Sequence, residues 1–327
     1  MTQDELIAYI QKEVGAVLKR GNDPSLKVVP ISTGIHSFDS IIGGGVPRGR
    51  YTIFTGSDSS GKSTLSALCA KSIQEQNGIA AYIDAENSYD PKWWELLKVN
   101  TNDLIYVQTN IGEKLLDTMK ELAKAGIDLI ILDSIASLVP GEEYEKNASE
   151  KSLSVLARLV NSNLKKIIQY NEKSAIILIN QFRSGIGGYL PIRVLPGGLA
   201  QRFDASLICN ISRGDPIINK EKKGLRSKKE RQSESDGYYM KIYIDKSKIC
   251  KPFGSCLVPV YFDGYIDDIY SLFEKALETG VIERNGHTYT IGTHKHLGKE
   301  GFLDALRENK ELQILVQERL LSNVITV

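Results

Sequence analysis

Residues 56–64 read Gly56-Ser57-Asp58-Ser59-Ser60-Gly61-Lys62-Ser63-Thr64. They fit the pattern G-x-x-x-x-G-K-[ST], and they lie between an apolar run at 51–55 and a helical pattern that begins at Leu65. In this setting backbone N–H groups surround phosphate oxygens, and the helix N-terminus adds partial positive charge. Lys62 is expected to reach the β- and γ-phosphates, and the Ser63 hydroxyl is expected to hold Mg²⁺. The nine residues therefore predict a nucleoside triphosphate site; the alternative is a Gly/Ser-rich turn that binds nothing.

The composition is that of a water-soluble globular protein. The chain has 327 residues, of which 42% are hydrophobic and 25% are charged, so it is long enough for one large core and a small second domain. The formal net charge is only +1. A nucleic-acid surface would therefore have to come from local clustering of basic residues.

Neither the cysteines nor the N-terminus indicate an exported or membrane-bound protein. The four cysteines form no CxxC pair and have no His-rich ligand spacing, which predicts reduced thiols and no zinc site. Residues 1–5 lack the basic start of a signal peptide, and no apolar run is long enough to span a bilayer. We therefore expect a cytoplasmic protein with no membrane partner.

The order of the patterns predicts three regions. Residues 1–29 hold an amphipathic helix at 4–20 and a linker, and because a lone helix cannot bury its apolar stripe, it should pack on its own domain or on a neighbouring subunit. Residues 30–266 alternate apolar strands with amphipathic helices, which is typical of an α/β fold with a mainly parallel twisted sheet and helices on both faces. Residues 267–327 form a small α/β appendage, predicted as a separate domain. Buried strands are predicted at 51–55, 80–84, 104–108, 129–133, 175–180, 206–211 and 238–245.

Acidic residues follow two of these strands. Asp133 ends the apolar run 127–132, as in a Walker B pattern, and would hold Mg²⁺ through water. Glu86 follows the strand at 80–84 and is placed to orient or deprotonate a water that attacks the γ-phosphate. The alternative at this second position is that Asp84 and Glu86 cap the helix that follows.

Taken together, the motifs resemble a known family. The segments 57–64, 82–86, 132–134 and 179–183 occur in the order and at the spacing of bacterial-type RecA recombinases. The resemblance implies a RecA-type P-loop ATPase core and an ATP-dependent DNA strand-exchange protein that polymerises as a helical filament on single-stranded DNA. It spans nearly the whole chain, since it also covers 31–34, 45–50, 246–249 and 252–253.

The resemblance also implies roles for residues around the nucleotide. Glu86 matches the residue that activates the hydrolytic water, and Asp133 matches the Walker B acid. Gln181 matches the sensor that reports the γ-phosphate to the following DNA-binding loop. Asp90 and Trp93 fall where the family contacts the adenine, and an aromatic face suits stacking there.

Other matched positions concern the neighbouring subunit. Lys246 and Lys248 resemble two lysines that reach the ATP bound to the adjacent subunit. Phe203 resembles an interface aromatic that couples neighbouring subunits to ATP; the alternative is an ordinary core phenylalanine.

Two segments are expected to face DNA. The first is 141–148. Because this segment is acidic, it is a poor match for a phosphate backbone, and Arg158 of the following helix is the better candidate for a DNA contact. The second is 182–193 with the glycines that follow it, where arginines, glycines and large apolar side chains suit a single strand; a plain mobile surface loop is the alternative.

The basic segment 213–231 is predicted to be a long connection. In the appendage, one lysine resembles a family position that captures duplex DNA. The DNA-binding candidates are Arg158, Arg183, Ile186, Gly187, Tyr189, Arg193, Gly197, Gly198 and Lys299.

The sequence therefore predicts an ATP-dependent recombinase. Its expected cofactors are ATP and Mg²⁺, and its expected partners are single-stranded DNA, homologous duplex DNA and further copies of itself. Two alternatives stay open: a RecA-fold ATPase that acts as a recombination mediator or regulator without strand exchange, and a hexameric helicase-like motor. The matched lysines, the Phe203 region and the appendage favour the recombinase over the motor.

Overall fold

The fold is an α/β core with a helical N-terminus and a small C-terminal α/β region. A computed structural model describes residues 1–15, 18–141, 153–181, 183–184, 193–194, 196–198, 200–218 and 234–325. The strands are β1 (Pro30–Ile31), β2 (Val46–Pro47), β3 (Arg50–Gly56), β4 (Ala80–Asp84), β5 (Ile105–Gln108), β6 (Leu129–Asp133), β7 (Ala175–Gln181), β8 (Arg183–Ser184), β9 (Arg193–Val194), β10 (Leu207–Ile217), β11 (Gly237–Ser247), β12 (Ser255–Tyr261), β13 (Glu283–Asn285), β14 (Thr288–Ile291) and β15 (His294–Leu297). The helices are α1 (Gln3–Val14), α2 (His36–Ile41), α3 (Lys62–Glu75), α4 (Pro91–Leu96), α5 (Gly112–Lys124), α6 (Leu153–Tyr170), α7 (Ala200–Asp204), α8 (Asp268–Glu278), α9 (Lys299–Glu308) and α10 (Lys310–Ile325).

The central sheet has eight strands in the order β12-β11-β10-β3-β7-β6-β4-β5. The six strands from β10 to β5 are parallel, and β11 and β12 extend the sheet antiparallel. Every residue of β4 and β6 is buried, because helices cover both faces of a parallel sheet. The predicted α/β fold with a mainly parallel sheet is confirmed.

Two apolar cores lie on opposite faces of this sheet. Successive side chains of a strand point to opposite faces, so Ile131 belongs to one core and Ile130 to the other. The first core includes side chains of α2 and α3, and the second includes those of α5 and α6. The packing of α3 on one face fixes its N-terminus at the carboxyl end of β3.

The C-terminal region has a third core of its own. A three-stranded antiparallel sheet, β13-β14-β15, packs with α8, α9 and α10 around Phe273, Tyr289 and Phe302. This region meets the central domain at α2. The backbone N–H of His36 donates to Asp268 Oδ1 at 2.9 Å, and the His36 ring pairs with the other oxygen of that carboxylate.

Helix α1 begins and ends with clear local signals but buries nothing. Thr2 and Glu5 form a capping box at its start, and Gly15 ends it with a φ of +66°. None of its residues is buried, and Leu6, Tyr9 and Val14 are exposed. Ile7 and Ile10 are half-buried, so the stripe is only partly covered in a single chain, and the helix ends at Val14 instead of reaching the predicted residue 20.

No helix in the described part of the chain is long and apolar enough to cross a membrane. Within the same residues, no group of three or more His, Cys, Asp or Glu side chains is arranged to hold a metal ion.

Candidate active site

The predicted nucleotide residues meet where four parallel strands end. Gly56 of β3 is paired with Gln181 of β7, and Asp84 of β4 is paired with Asp133 of β6. Glu86 comes two residues after β4. At this end of the sheet lies a cleft of about 560 Å³. It is lined by Asp58, Ser59, Ser60, Gly61, Lys62, Ser63, Thr64, Tyr82, Glu86, Ser88, Asp90, Trp93, Trp94, Asp133, Gln181 and Tyr238.

The loop between β3 and α3 needs its two glycines, Gly56 and Gly61, for steric reasons. A Cβ atom on Gly56 would lie 2.2 Å from the carbonyl oxygen of Ile211. Gly61 has a φ of +101°, and a Cβ there would lie 2.9 Å from both Tyr238 Oη and Met240 Sδ. Only glycine accepts this backbone conformation and this close approach together. Strands β10 and β11 thus hold the loop from one side.

Lys62 and Ser60 present groups that suit phosphate oxygens. The buried Lys62 amine donates to the carbonyl oxygens of Gly56 at 3.3 Å and Ser57 at 2.7 Å. Burial lowers the pKa of this amine, while the charges of Asp133, Asp58 and Glu86 oppose the shift. The Ser60 hydroxyl is fully buried and has no hydrogen-bond partner among the described residues. A buried hydroxyl without a partner is costly, and a phosphate oxygen would satisfy it.

Ser63, Asp133 and Tyr82 form a cluster of oxygen atoms beside the loop. The hydroxyls of Ser63 and Tyr82 both donate to Asp133 Oδ2, at 2.6 Å and 2.9 Å. Burial raises the pKa of the Asp133 carboxyl to about 6; Glu86 and Asp84 add to the shift, and the hydrogen bonds from Ser63 and Tyr82 oppose it. Hydroxyl and carboxylate oxygens next to a triphosphate are the ligands that Mg²⁺ prefers. The residues present therefore fit a nucleotide with Mg²⁺.

Glu86 points its carboxylate at the ends of the neighbouring strands. Its Oε1 accepts hydrogen bonds from Ser134 Oγ at 2.5 Å, Ser137 Oγ at 3.2 Å and Gln181 Nε2 at 3.4 Å. Asp84 has a different task, since its carboxylate accepts the backbone N–H groups of residues 86, 88 and 89 and so holds the turn after β4. Glu86 does not cap the helix that follows, so that alternative is wrong for this residue.

Asp90 and Trp93 are brought to the same cleft by α4. Asp90 is the N-cap of this helix, where its side chain accepts the backbone N–H of Lys92 at 3.0 Å. The Trp93 indole N–H donates to Thr64 Oγ1 at 3.3 Å, which ties α4 to the start of α3. Their roles toward an adenine remain predictions.

Sequence reasoning missed Tyr238 and Tyr82 as site residues. Tyr238 belongs to β11 and reaches residues 56–64, which we call the phosphate loop, because β10 and β11 lie beside β3. Nothing in its local sequence indicates this, since it follows from strand order. Tyr82 lies inside the motif at 82–86, and the missed signal was a hydroxyl on a strand whose other residues before Asp84 are apolar.

Residues 3–267 match the family model described as the RecA N-terminal domain. The chain belongs to the RecA family. Protein RecA of Thermus aquaticus is 35% identical over 327 residues, which cover 97% of this chain and 93% of that protein. Protein RecA of Thermus thermophilus has the same identity and coverage. Protein RecA of Gloeobacter violaceus is 32% identical over 317 residues, covering 94% of this chain and 83% of that protein.

The family resemblance predicted from the motifs is thereby confirmed. Membership of the RecA family supports ATP binding and DNA recombination at the level of the family. The matched segment ends at Asp267, whose side chain accepts the backbone N–H of Tyr270 at 3.0 Å and caps α8.

Lys246 and Lys248 do not line the cleft. Lys246 is paired with Ile208, which is paired with Ile53, and the backbone N–H of Lys248 donates to the carbonyl of Ser206. Lys246 is level with Ile53, about 10 Å along β3 from Gly56, and Lys248 is near the level of Tyr51, about 16 Å from Gly56, at about 3.3 Å per residue.

Both lysine amines bind the end of α7. Lys246 Nζ donates to the carbonyl oxygens of Arg202, Phe203 and Ala205, and Lys248 Nζ donates to that of Asp204 at 3.1 Å. Burial and the charge of Lys248 lower the pKa of Lys246. The Phe203 side chain beside them is 71% exposed, so the alternative that it is a core residue is wrong.

The predicted DNA-binding residues are described only in part. Arg158 is exposed on α6, and Gly197 and Gly198 form a turn with φ values of +83° and +84°. Asn180 of β7 donates to the carbonyl of Pro196 at 3.0 Å, which joins this turn to the cleft strand that carries Gln181. Arg183 and Arg193 belong to the paired strands β8 and β9. Ile186, Gly187, Tyr189, most of 141–148 and most of 213–231 lie outside the described residues.

Lys299 starts α9 and is already engaged. Its amine pairs with the Glu274 carboxylate and lies 4.3 Å from the ring centroid of Tyr270. Burial opposes the charge on Lys299, but its contacts with Glu274 and Tyr270 raise the pKa above the ordinary value. A role in duplex capture would need this amine to exchange partners, and it remains a prediction.

Proposed function

We propose that this protein is an ATP-dependent DNA recombinase. It assembles as a helical filament on single-stranded DNA, hydrolyses ATP when DNA is bound, and promotes pairing and strand exchange with a homologous duplex. One observation carries the proposal: the side chains of Lys62, Glu86 and Asp133 line one cleft, while the amines of Lys246 and Lys248 bind the end of α7, before the amino end of β10. A protein with these partners acts in the cytoplasm.

The phosphate loop would bind the nucleotide. Backbone N–H groups of 56–64 and the Lys62 amine would hold the phosphates, and this amine would exchange its carbonyl partners for phosphate oxygens. Ser63 would hold Mg²⁺ directly, and Asp133 would hold it through water. Bound Mg²⁺ would neutralise charge that develops on the phosphates. Asp90 and Trp93 would contact the adenine.

Glu86 and Gln181 would connect hydrolysis to DNA. Glu86 would accept the proton of the attacking water, as its carboxylate lies in the cleft next to the phosphate loop. Gln181 contacts the same carboxylate and ends β7, just before the second DNA-facing segment. A change at the γ-phosphate would therefore reach that segment through one side chain.

The site would be completed by a second copy of the chain. Lys246 and Lys248 of one subunit would act on the ATP bound by its neighbour, with the exposed Phe203 in the same contact. Helix α1 of residues 1–29 would pack on that neighbour too, since Leu6, Tyr9 and Val14 are exposed in one subunit. ATP would then favour the assembled state through contacts made only there.

DNA would bind through the central domain and through the C-terminal domain. The candidates are Arg158, the segment from Arg183 to Gly198, and Lys299 in the domain 267–327. Basic side chains there would neutralise phosphates, and this part of the affinity should fall steeply with salt.

Strand exchange tests the proposal directly. A homologous linear duplex and a single-stranded circle should yield joint molecules with the protein and ATP, and none with the Lys62→Ala variant. Electron microscopy should find helical filaments on single-stranded DNA in the presence of a non-hydrolysable ATP analogue. DNA-dependent ATP hydrolysis without joint molecules would reject strand exchange and favour the mediator function.

A further inference from the structure

Tyr82 places a phenolic hydroxyl beside Ser63 and Asp133, the two proposed Mg²⁺ ligands. Its side chain is 1% exposed, and its hydroxyl donates to Asp133 Oδ2 at 2.9 Å. Tyr82 is paired with Ile131 of the adjacent strand, two residues before Asp133. The strand register therefore brings the ring alongside β6 and its hydroxyl to the carboxylate at the end of that strand.

We propose that Tyr82 is a positioning residue that holds the Asp133 carboxylate in the orientation that binds Mg²⁺. This inference rests on the proposed function, because it assumes that Asp133 serves a nucleotide-bound metal ion. Ser63 Oγ donates to the same oxygen at 2.6 Å. Two donors thus fix Oδ2, and among the hydrogen bonds of the described residues none reaches Oδ1. The second oxygen is left for a metal-bound water.

The two donors differ in what metal binding asks of them. Ser63 is itself a proposed metal ligand. Its oxygen must direct a lone pair at Mg²⁺ while its hydroxyl proton still points at Asp133. Tyr82 has no such second task. Its hydroxyl can keep the carboxylate oriented whether or not the metal ion is bound, which prepares the site before Mg²⁺ arrives.

The ring of Tyr82 is held rigidly, so its hydroxyl has a defined position. The ring centroid lies 4.6 Å from that of Trp94, 5.7 Å from Tyr89 and 6.4 Å from Tyr106. Packed aromatic rings of this kind stay in place when a hydroxyl is removed. Tyr82→Phe therefore removes the hydrogen bond and keeps the packing.

The chain offers a matched control in the same aromatic cluster. The Tyr106 hydroxyl donates to Asp84 Oδ2 at 3.2 Å, which is also a tyrosine-to-aspartate hydrogen bond. Asp84 holds the turn after β4 and does not line the cleft. Tyr106→Phe thus removes an equivalent hydroxyl without touching Asp133.

The experiment measures binding of a fluorescent ATP analogue by the full chain as a function of Mg²⁺ concentration. For Tyr82→Phe the affinity for the analogue at saturating Mg²⁺ should fall about three- to tenfold, the net effect of one typical hydrogen bond. Affinity without Mg²⁺ should be unchanged, because the hydroxyl acts only through the carboxylate that would hold the metal ion. Tyr106→Phe should behave as wild type throughout.

Two outcomes would overturn the inference while leaving nucleotide binding intact. One is a wild-type Mg²⁺ profile for Tyr82→Phe. The other is an equal loss of affinity with and without Mg²⁺, which would mark a purely structural role for the hydroxyl. If the wild-type chain binds no ATP analogue under either condition, the proposed function itself has failed.

Discussion

Glu86 illustrates how much a single side chain depends on its neighbours. Its Oε1 accepts from two serines and from Gln181, and these donors keep the carboxylate directed into the cleft. The sequence left two roles open for Glu86, because an acid after a strand can serve a catalytic site or cap the helix that follows. In the structure Glu86 lines the cleft, Asp84 holds the turn after β4, and the helix that follows is capped by Asp90.

At the residue scale we expect Glu86→Gln to separate binding from hydrolysis. The amide keeps the shape of the side chain but cannot accept a proton, so ATP turnover with single-stranded DNA should fall about 100-fold or more. Affinity for ATP should change little. Steady-state hydrolysis and equilibrium nucleotide binding measure the two quantities.

The control for this variant is Glu75→Gln, at the exposed end of α3. It removes the same charge outside the cleft, and its turnover should match wild type. A Glu86→Gln variant that retains more than about a tenth of the wild-type rate would reject general-base catalysis by this residue.

At the scale of elements, helix α1 has the amphipathic pattern of a packed helix but has no fully buried residue. Its capping box and C-terminal glycine explain why it forms, and its apolar residues explain why it should be buried. Yet no side chain is buried in one subunit. An amphipathic helix of this kind needs a partner surface, and another copy of the chain is the proposed one.

We expect Leu6→Asp to weaken assembly without destabilising the subunit. Leu6 is 45% exposed in the single chain, so its replacement removes no intramolecular core. Sedimentation on single-stranded DNA should require a higher protein concentration, by about tenfold if the leucine becomes buried at the contact. The thermal midpoint of the dissociated protein should stay within about 1 °C.

Glu13→Lys, also exposed on α1, is the control and should assemble as wild type. If Leu6→Asp instead lowers the thermal midpoint of dissociated subunits, the helix packs on its own domain.

The contact between α2 and α8 joins the C-terminal region to the central domain through an ionisable pair. Burial opposes the charge on His36, but the hydrogen bond and charge of Asp268, with the charge of Asp39, raise the His36 pKa above 6.5. Its contribution to stability is therefore fully present below pH 6.5 and is lost as pH rises through the folded-state pKa. The His36 side chain is 44% exposed, so solvent screening keeps this contribution below about 1 kcal/mol.

We expect His36→Gln to lower the thermal midpoint by about 1–2 °C at pH 5.5, with the difference shrinking toward pH 8.5. Scanning calorimetry at both pH values measures this. His287→Gln, at an exposed histidine of the C-terminal region, should show no such difference. An equal gap at both pH values would mean that the imidazolium charge does not contribute to the contact.

In the proposed arrangement, each subunit contributes half of a shared site at each of its two ends. The cleft lies at the carboxyl ends of the parallel strands, and Lys246, Lys248 and Phe203 lie near their amino ends. A head-to-tail contact would bring one end of a subunit to the opposite end of the next, and repetition of that contact gives a filament.

Mixing two inactive variants tests this arrangement. Lys62→Ala should disable the cleft of its own subunit, and Lys246→Ala should disable the neighbouring one. Each alone should hydrolyse little ATP. In an equal mixture, about a quarter of the contacts should pair an intact cleft with an intact lysine, so DNA-dependent hydrolysis should recover to that order. Equal amounts of the two proteins must be shown to bind DNA together. A co-assembled mixture as inactive as its components would reject the shared site.

Sequence alone determined those features that lie close together in the chain. The phosphate loop, its strand and its helix are contiguous in 50–75, and Asp133 ends an apolar strand, so local pattern was enough to predict them. The α/β class followed from the alternation of strands and helices. Tertiary structure decided the rest. The hydroxyl of Tyr82 on Asp133, the approach of Tyr238 to the loop and the distance of Lys246 from its own cleft all depend on strand order and register, which bring together residues far apart in the chain.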